Sequence, residues 1–423
     1  MTKGEEIYQI AERLFPLDRS ITGEGNRETL RILQEIDSDL KIIEVASGTE
    51  VFDWTVPKEW KVNEAYIENS KGERIVDFAD NNLCLLGYSY SMDEIMDKNQ
   101  MREYVFTLDS QPDLIPYTTS YYKQRRGFCM SKNAFDALPE DTYHLYIDAN
   151  HFDGSLSIGE LVIPGETNEE IFIPTYICHP SMANDNISGP ALLIKLAEYI
   201  KALPKRRYTY RLVLHPETIG AITYISLRLE ELKKNVIAGF NLTCVGDDND
   251  YSLVHSPYAD TLADKVLTNV LKYVKTDFSE YSFLDRGSDE RQYCSPKVGL
   301  PLVCFCRSKF GEYPEYHTSA DDMSYVSSTG FQGAYDVMTK VIDALEYNKK
   351  YSVKVTCEVQ LGKRDLIPTF SQKGTYDAIY SITRFLAYAD GKNDLIDISN
   401  IIGVPVSELI QVVKQLEEKD IFE

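Results

Sequence analysis

The segment Thr175-Tyr176-Ile177-Cys178-His179-Pro180-Ser181-Met182-Ala183-Asn184-Asp185-Asn186-Ile187-Ser188-Gly189 decides how the chain is read. An apolar run over 171–177 ends on a histidine, a polar loop follows, and apolar positions at helical spacing fill 187–203. Strand, loop and helix in that order form half of a strand–helix–strand unit. In such folds the chemistry gathers at the carboxyl ends of the strands. Imidazole and carboxylate are good zinc ligands, which makes His179 and Asp185 candidates. Capping of the helix by Asp185 or Asn186 is the plainer use of the same residues.

Working outward, the alternation repeats: 208–214 then 220–233, 237–244 then 258–274, 300–306 then 330–346. This pattern predicts an α/β fold, a mixed sheet flanked by helices. The second strand ends on His215-Pro216-Glu217-Thr218-Ile219-Gly220. A glutamate there can take the proton of a water that a neighbouring metal has made acidic, while a first-turn acid favoured by the helix dipole is the plainer reading. Gly311-Glu312-Tyr313-Pro314-Glu315-Tyr316-His317-Thr318-Ser319-Ala320-Asp321-Asp322 adds His317 in a polar loop. Two neutral imidazoles and one carboxylate leave zinc a residual positive charge and an open position, the pattern of a catalytic site. Asp321 and Asp322 are placed to orient an imidazole.

Two amphipathic helices, 4–15 and 24–37, open the chain. Between 46 and 150 the texture changes to short aromatic and β-branched runs broken by turn formers, which predicts an inserted β-rich module. The main domain is therefore expected over 1–45 and 151–350, a connecting segment over 351–373, and a winged-helix-like module over 374–423. Within the insert, Pro116 to Phe128 offers aromatic walls and the guanidinium groups of Arg125 and Arg126, which suit carboxylates or phosphates. Asp289, Glu290, Arg291 and Tyr293 are the other candidate substrate-binding residues.

Composition narrows the function. A net charge of −22 and a pI near 4.8 oppose attraction to nucleic acid or anionic lipid. The C-terminal module adds to this, since Lys373, Arg384, Lys392, Lys414 and Lys419 are outnumbered by acids from Asp377 to Glu423. A protein contact, self-association through this module, is expected instead of DNA binding. The start lacks the apolar core of a signal peptide and no apolar run is long enough to span a bilayer, so the expected location is cytoplasmic, with no membrane partner. Eight cysteines without a CxxC pair are expected to be free and mostly buried.

The segments Asn184-Asp185-Asn186-Ile187-Ser188-Gly189, Glu217-Thr218-Ile219-Gly220, Asn241-Leu242-Thr243-Cys244-Val245-Gly246, Gly287-Ser288-Asp289 and Tyr316-His317-Thr318 occur in the order found in the M28 family of zinc aminopeptidases. The whole chain more closely resembles the DUF4910 family, M28-like proteins with an inserted β module of the DUF2172 type and a C-terminal winged helix. Val51-Phe52-Asp53-Trp54-Thr55-Val56-Pro57, Cys178-His179-Pro180-Ser181 and Gly287-Ser288-Asp289-Glu290-Arg291-Gln292-Tyr293 carry that likeness. The resemblance implies a zinc-peptidase (phosphorylase/hydrolase-like) fold, metal ligands His179, Asp185 and His317, and Glu217 as base. It also exposes departures. Where M28 enzymes place two further carboxylate ligands, this chain has Thr218 and Thr243, and a hydroxyl is a poor ligand for a divalent ion. One zinc per chain is expected.

The function expected is a zinc-dependent, aminopeptidase-like hydrolase cleaving an amide of a peptide or peptide-like small molecule. A mononuclear zinc deacylase or cyclase-like acyltransferase stays open beside it. So does a catalytically degenerate, ligand-binding regulator.

Overall fold

The computed structural model describes residues 1–367 and 377–423. The expected junction between connecting segment and C-terminal module, at 373–374, lies outside the described residues. An eight-stranded mixed sheet runs in the order Lys41–Ala46, Ser155–Ile163, Thr209–His215, Glu170–Tyr176, Val236–Leu242, Leu302–Cys306, Ser252–Val254, Ser279–Tyr281. The four strands from Thr209–His215 to Leu302–Cys306 are parallel neighbours. The flanking strands Ser155–Ile163 and Ser252–Val254 join them antiparallel. All of Glu170–Tyr176 is buried, as a parallel strand covered on both faces must be. Its side chains alternate: Ile171 and Ile173 enter one core cluster and Phe172 the other.

On the first face lie the helices Lys3–Leu14, Ser188–Ala202, Leu262–Val274 and Ser328–Tyr347, all with residues in one core. Lys3–Leu14 starts with a capping box between Thr2 and Glu5. The opposite face is covered by Ile219–Asn235 and by the inserted residues. The insert holds its own four-stranded antiparallel sheet, ordered Arg74–Asp77, Glu59–Asn69, Thr142–Phe152, Met92–Asp97.

At the C-terminal end, Lys350–Ser352 pairs antiparallel with Asp390–Asp394, and the helices Asp377–Tyr388, Leu395–Ile402 and Val406–Glu418 follow the winged-helix pattern. They do not stand apart: Leu409, Val413 and Leu416 share a core with Val337, Val341 and Leu345. Asn269 donates to Ser399 and Asn400. The eight cysteines are free thiols, all but Cys357 buried. Among the described residues no single helix is long and apolar enough to cross a membrane.

Candidate active site

Parallel strands deliver loops to one edge of the sheet. Glu170–Tyr176 leads to His179, Thr209–His215 to Glu217, and Val236–Leu242 to Thr243. Two asparagines stitch the first crossing in place. Asn186 Nδ2 donates to Thr175 Oγ1 (2.8 Å) and the Tyr176 carbonyl (3.1 Å), and Asn184 Oδ1 accepts from the Gly246 N–H (2.8 Å). Asp321, fully buried, accepts the N–H groups of Asn184 (2.6 Å) and Asp185 (3.0 Å). Thus the Asp185 N–H is tied to the Asp321 carboxylate, and its neighbours Asn184 and Asn186 are anchored through their side chains. Arg19, in the opening Arg19-Ser20-Ile21-Thr22-Gly23 stretch, donates through Nε (3.0 Å) and Nη2 (2.8 Å) to the carbonyl of His179.

His179, Asp185 and His317 converge, each offering one ligand atom within 4.8 Å of the others. His317 Nε2 lies 2.9 Å and His179 Nε2 4.0 Å from Asp185 Oδ2. Two ligands of a tetrahedral zinc bound at about 2.0–2.1 Å sit about 3.3 Å apart, between these distances. Asp185 Oδ2 and His317 Nε2 are buried atoms that face each other at 2.9 Å out of hydrogen-bond alignment and have no other partner, a juxtaposition that a bound cation between them satisfies. The donor set, two imidazoles and one carboxylate, is one that zinc takes. Burial pushes the His179 imidazole down to about 4, against the pull of Asp185, so it is neutral and has a lone pair to give. Burial works to raise the Asp185 carboxyl, but His179, His317 and Tyr176 outweigh it and hold it down at about 2. The residues fit zinc.

Glu217 Oε2 lies 3.9 Å from His179 Nε2, and its Oε1 3.8 Å from Arg291 Nη2. Burial first, then Asp289 and Asp185, pushes its carboxyl well above the ordinary range. Thr218 has a left-handed backbone (φ 62°). Its N–H donates to Asp289 Oδ1 (2.8 Å) and its hydroxyl accepts from Arg291 (2.6 Å), so both polar groups are already engaged.

Of the residues proposed to bind substrate, Arg291 alone combines partial exposure, 38%, with a place beside Glu217. Asp289, Glu290 and Tyr293 are fully buried. Glu290 accepts the N–H groups of Gly287 and Ser288, Asp289 holds Thr218, and Tyr293 OH lies 2.6 Å from His215 Nε2. Through these bonds the three brace the loop beside the site, and Asp289 Oδ2 is left without a hydrogen-bond partner. Arg126 is turned to Glu94 (2.5 Å) and Tyr104, and Arg125 is exposed on the insert.

The aromatic half of that segment does reach it. Tyr117 packs against both His179 and His317 at 5.0 Å between ring centroids. Tyr122 is edge-on to Trp54 at 5.5 Å, and burial first, then Cys178 and Glu217, pushes its phenol up to about 12 against the pull of Arg291. Tyr176 was missed at sequence level: its hydroxyl donates to Asp185 Oδ1 and lies 2.6 Å from Thr243 Oγ1. A tyrosine at the end of a buried strand reads as core, and no spacing signal separates the two uses.

A family profile described as a domain of unknown function, DUF4910, matches residues 8–348, and a winged helix-turn-helix profile matches 349–423. The chain belongs to the DUF4910 family. A Clostridium acetobutylicum relative, whose name couples polysaccharide biosynthesis with an aminopeptidase-like domain, is 42% identical over 398 residues, 94% of this chain and 91% of its own. A crystal structure from the same species, titled as that of a peptidase, superposes on this DUF4910 protein with TM-score 0.92 at 40% identity, covering 99% of this chain and 96% of that one. A zinc aminopeptidase from Bacillus subtilis matches with TM-score 0.59 at 13% identity over 84% of this chain and 96% of its own. The fold is that of the zinc aminopeptidases.

Proposed function

We propose that this protein is a zinc-dependent hydrolase that cleaves an amide bond of a peptide or peptide-like small molecule. The observation that carries the reading is the convergence of His179, Asp185 and His317 with the Glu217 carboxylate 3.9 Å from a ligand nitrogen. Zinc held by those three residues supplies Lewis acidity toward a carbonyl and lowers the pKa of water. Glu217 accepts the proton of the attacking water and returns it to the leaving nitrogen. Tyr117 covers the imidazoles and restricts water, while Tyr122 and Trp54 form an aromatic rim at the mouth.

A second reading, a deacylase acting on an acylated amino acid, is favoured by Arg291. Its guanidinium stands beside Glu217 and suits a substrate carboxylate. We further infer that the acidic winged-helix module serves protein contact, such as self-association, and not nucleic acid. Sequence-dependent mobility shift of DNA at low salt would contradict that.

The test combines metal content with turnover. Purified wild type should hold one zinc, and His179→Ala and His317→Ala should lose it. Glu217→Gln should keep zinc while turnover of aminoacyl, acyl-amino-acid or pyroglutamyl-forming substrates falls by roughly 10²–10⁴. Full activity of Glu217→Gln would remove the base from the mechanism, and unchanged zinc in both histidine variants would remove the site.

A further inference from the structure

We infer that Tyr176 is a positioning residue that caps one oxygen of Asp185, restricting this carboxylate to a single metal ion. The inference rests on the zinc reading above and adds the device that sets its stoichiometry. A carboxylate has two oxygens and can bridge two cations. Here they are divided: Oδ2 faces His179 and His317, whereas Oδ1 accepts the Tyr176 hydroxyl. The phenol has one proton, and with that given to Asp185, Thr243 Oγ1 at 2.6 Å is left to donate to the phenol oxygen. The result is a relay, Thr243 to Tyr176 to Asp185, with every member buried: Tyr176 is 2% exposed, Thr243 and Asp185 not at all.

Among the described residues, the groups bonded in line behind Oδ1 are the Tyr176 and Thr243 hydroxyls, with the Cys244 thiol 3.5 Å from Thr243 Oγ1. The Thr218 hydroxyl is occupied by Arg291. Among the described residues, His179, Asp185 and His317 form the metal-competent cluster. A hydrogen-bonded phenol also fixes the carboxylate's rotation, so Oδ2 stays aimed at the imidazoles without a metal to hold it. Partners of this kind, one bond behind a ligand, commonly change metal affinity 10- to 100-fold.

Zinc titration with elemental analysis, and dissociation constants from chelator competition, test this without any substrate. Wild type is expected to take one equivalent even in large excess of zinc. Tyr176→Phe, which removes only the hydroxyl, is expected to bind zinc about 10- to 100-fold more weakly, with the metal-free protein still folded at a lower thermal midpoint because a buried bond is lost. Should that variant not fold, Thr243→Val breaks the relay one step back, and Thr243→Ser, which keeps the hydroxyl, should restore wild-type affinity. A second tight equivalent in wild type, or wild-type affinity in both Tyr176→Phe and Thr243→Val, overturns the inference while leaving the hydrolase reading intact. A wild type that binds no zinc overturns both.

Discussion

Replacing Gly189 by alanine tests whether the packing behind Asp185 governs the site. Gly189 lies in the first turn of Ser188–Ala202. A Cβ there would fall 2.1 Å from Thr175 Oγ1 and 2.8 Å from both Asn186 Nδ2 and Asn186 Oδ1. Those atoms are already committed: Thr175 Oγ1 donates to the Leu242 carbonyl at 2.8 Å and accepts from Asn186 Nδ2 at 2.8 Å. Overpacking of this kind costs about 1–3 kcal/mol, and disturbing one buried hydrogen bond adds about 1–2 kcal/mol. The better helix propensity of alanine returns about 1 kcal/mol. The expected loss is thus about 1–4 kcal/mol by urea denaturation of the metal-free protein, together with weaker zinc binding because Asn186 adjoins Asp185. Thr175→Ala removes the closest obstacle, so the double variant should lose less than the sum of the singles. Wild-type stability and zinc affinity in Gly189→Ala, or strict additivity in the double variant, would refute the packing argument.

Asp264 accepts from His255 Nδ1 (2.8 Å), the N–H and hydroxyl of Ser256 (3.0 and 2.5 Å) and the N–H and hydroxyl of Thr261 (3.1 and 2.6 Å). Asp264→Ala should therefore cost about 3 kcal/mol in urea unfolding. Burial tends to raise this carboxyl, but those bonds outweigh it and hold it at about 2. Its stabilisation is accordingly complete above the unfolded value of about 3.9 and is lost as pH falls toward 2, so Asp264→Ala should flatten the acid limb of stability between pH 4 and 2. A parallel acid limb in the variant would contradict this. At the mouth, Tyr122→Ala should raise KM for the cognate substrate about tenfold, as expected on losing an aromatic contact worth about 1.4 kcal/mol. Arg126→Ala should leave kcat and KM unchanged, since its guanidinium serves Glu94; an equal effect of the two changes would mean the rim is assigned to the wrong side chains.

Much of the fold is legible in the sequence because a covered parallel sheet writes itself as uninterrupted apolar runs, and Glu170–Tyr176 is buried along its whole length. The strands that escape have a different physical origin. Ser252–Val254 and Ser279–Tyr281 have three residues each, too few for any period to register. Asp390–Asp394, with the sequence DGKND, has no apolar residue, and it is a strand through its pairing with Lys350–Ser352. At the site, His179, Asp185, Glu217 and His317 could be picked out because each lies in a polar loop between strand and helix. The short helix Glu290–Tyr293 misled for a reason specific to it. Its one acid reads as a pocket residue, yet Glu290 is buried and satisfies the N–H groups of Gly287 and Ser288 that precede it. Tyr176 was illegible because only the fold brings its hydroxyl to Asp185.

The inserted residues matter to the site through His317. This residue has a left-handed backbone (φ 56°), a conformation that costs a side-chain-bearing residue about 1–2 kcal/mol and persists only where its surroundings enforce it. The enforcement comes from the insert, some two hundred positions earlier in the chain. Tyr117 N–H donates to the His317 carbonyl (2.8 Å), Ile115 N–H to the Ser319 hydroxyl (3.0 Å), Ser319 N–H to the Ile115 carbonyl (2.8 Å), and Gln111 Nε2 to the Pro314 carbonyl (2.7 Å). Four such bonds, each worth about 0.5–1.5 kcal/mol net, are enough to offset the strain. On the other side, Tyr316 stacks on the His317 ring at 3.9 Å and 13°. His317, the third of the proposed ligands, is therefore aimed by a segment outside the strand-and-loop frame that aims His179 and Asp185. It follows that loosening the 111–119 segment should change the spacing of the three proposed ligands as well as the surroundings of Tyr117.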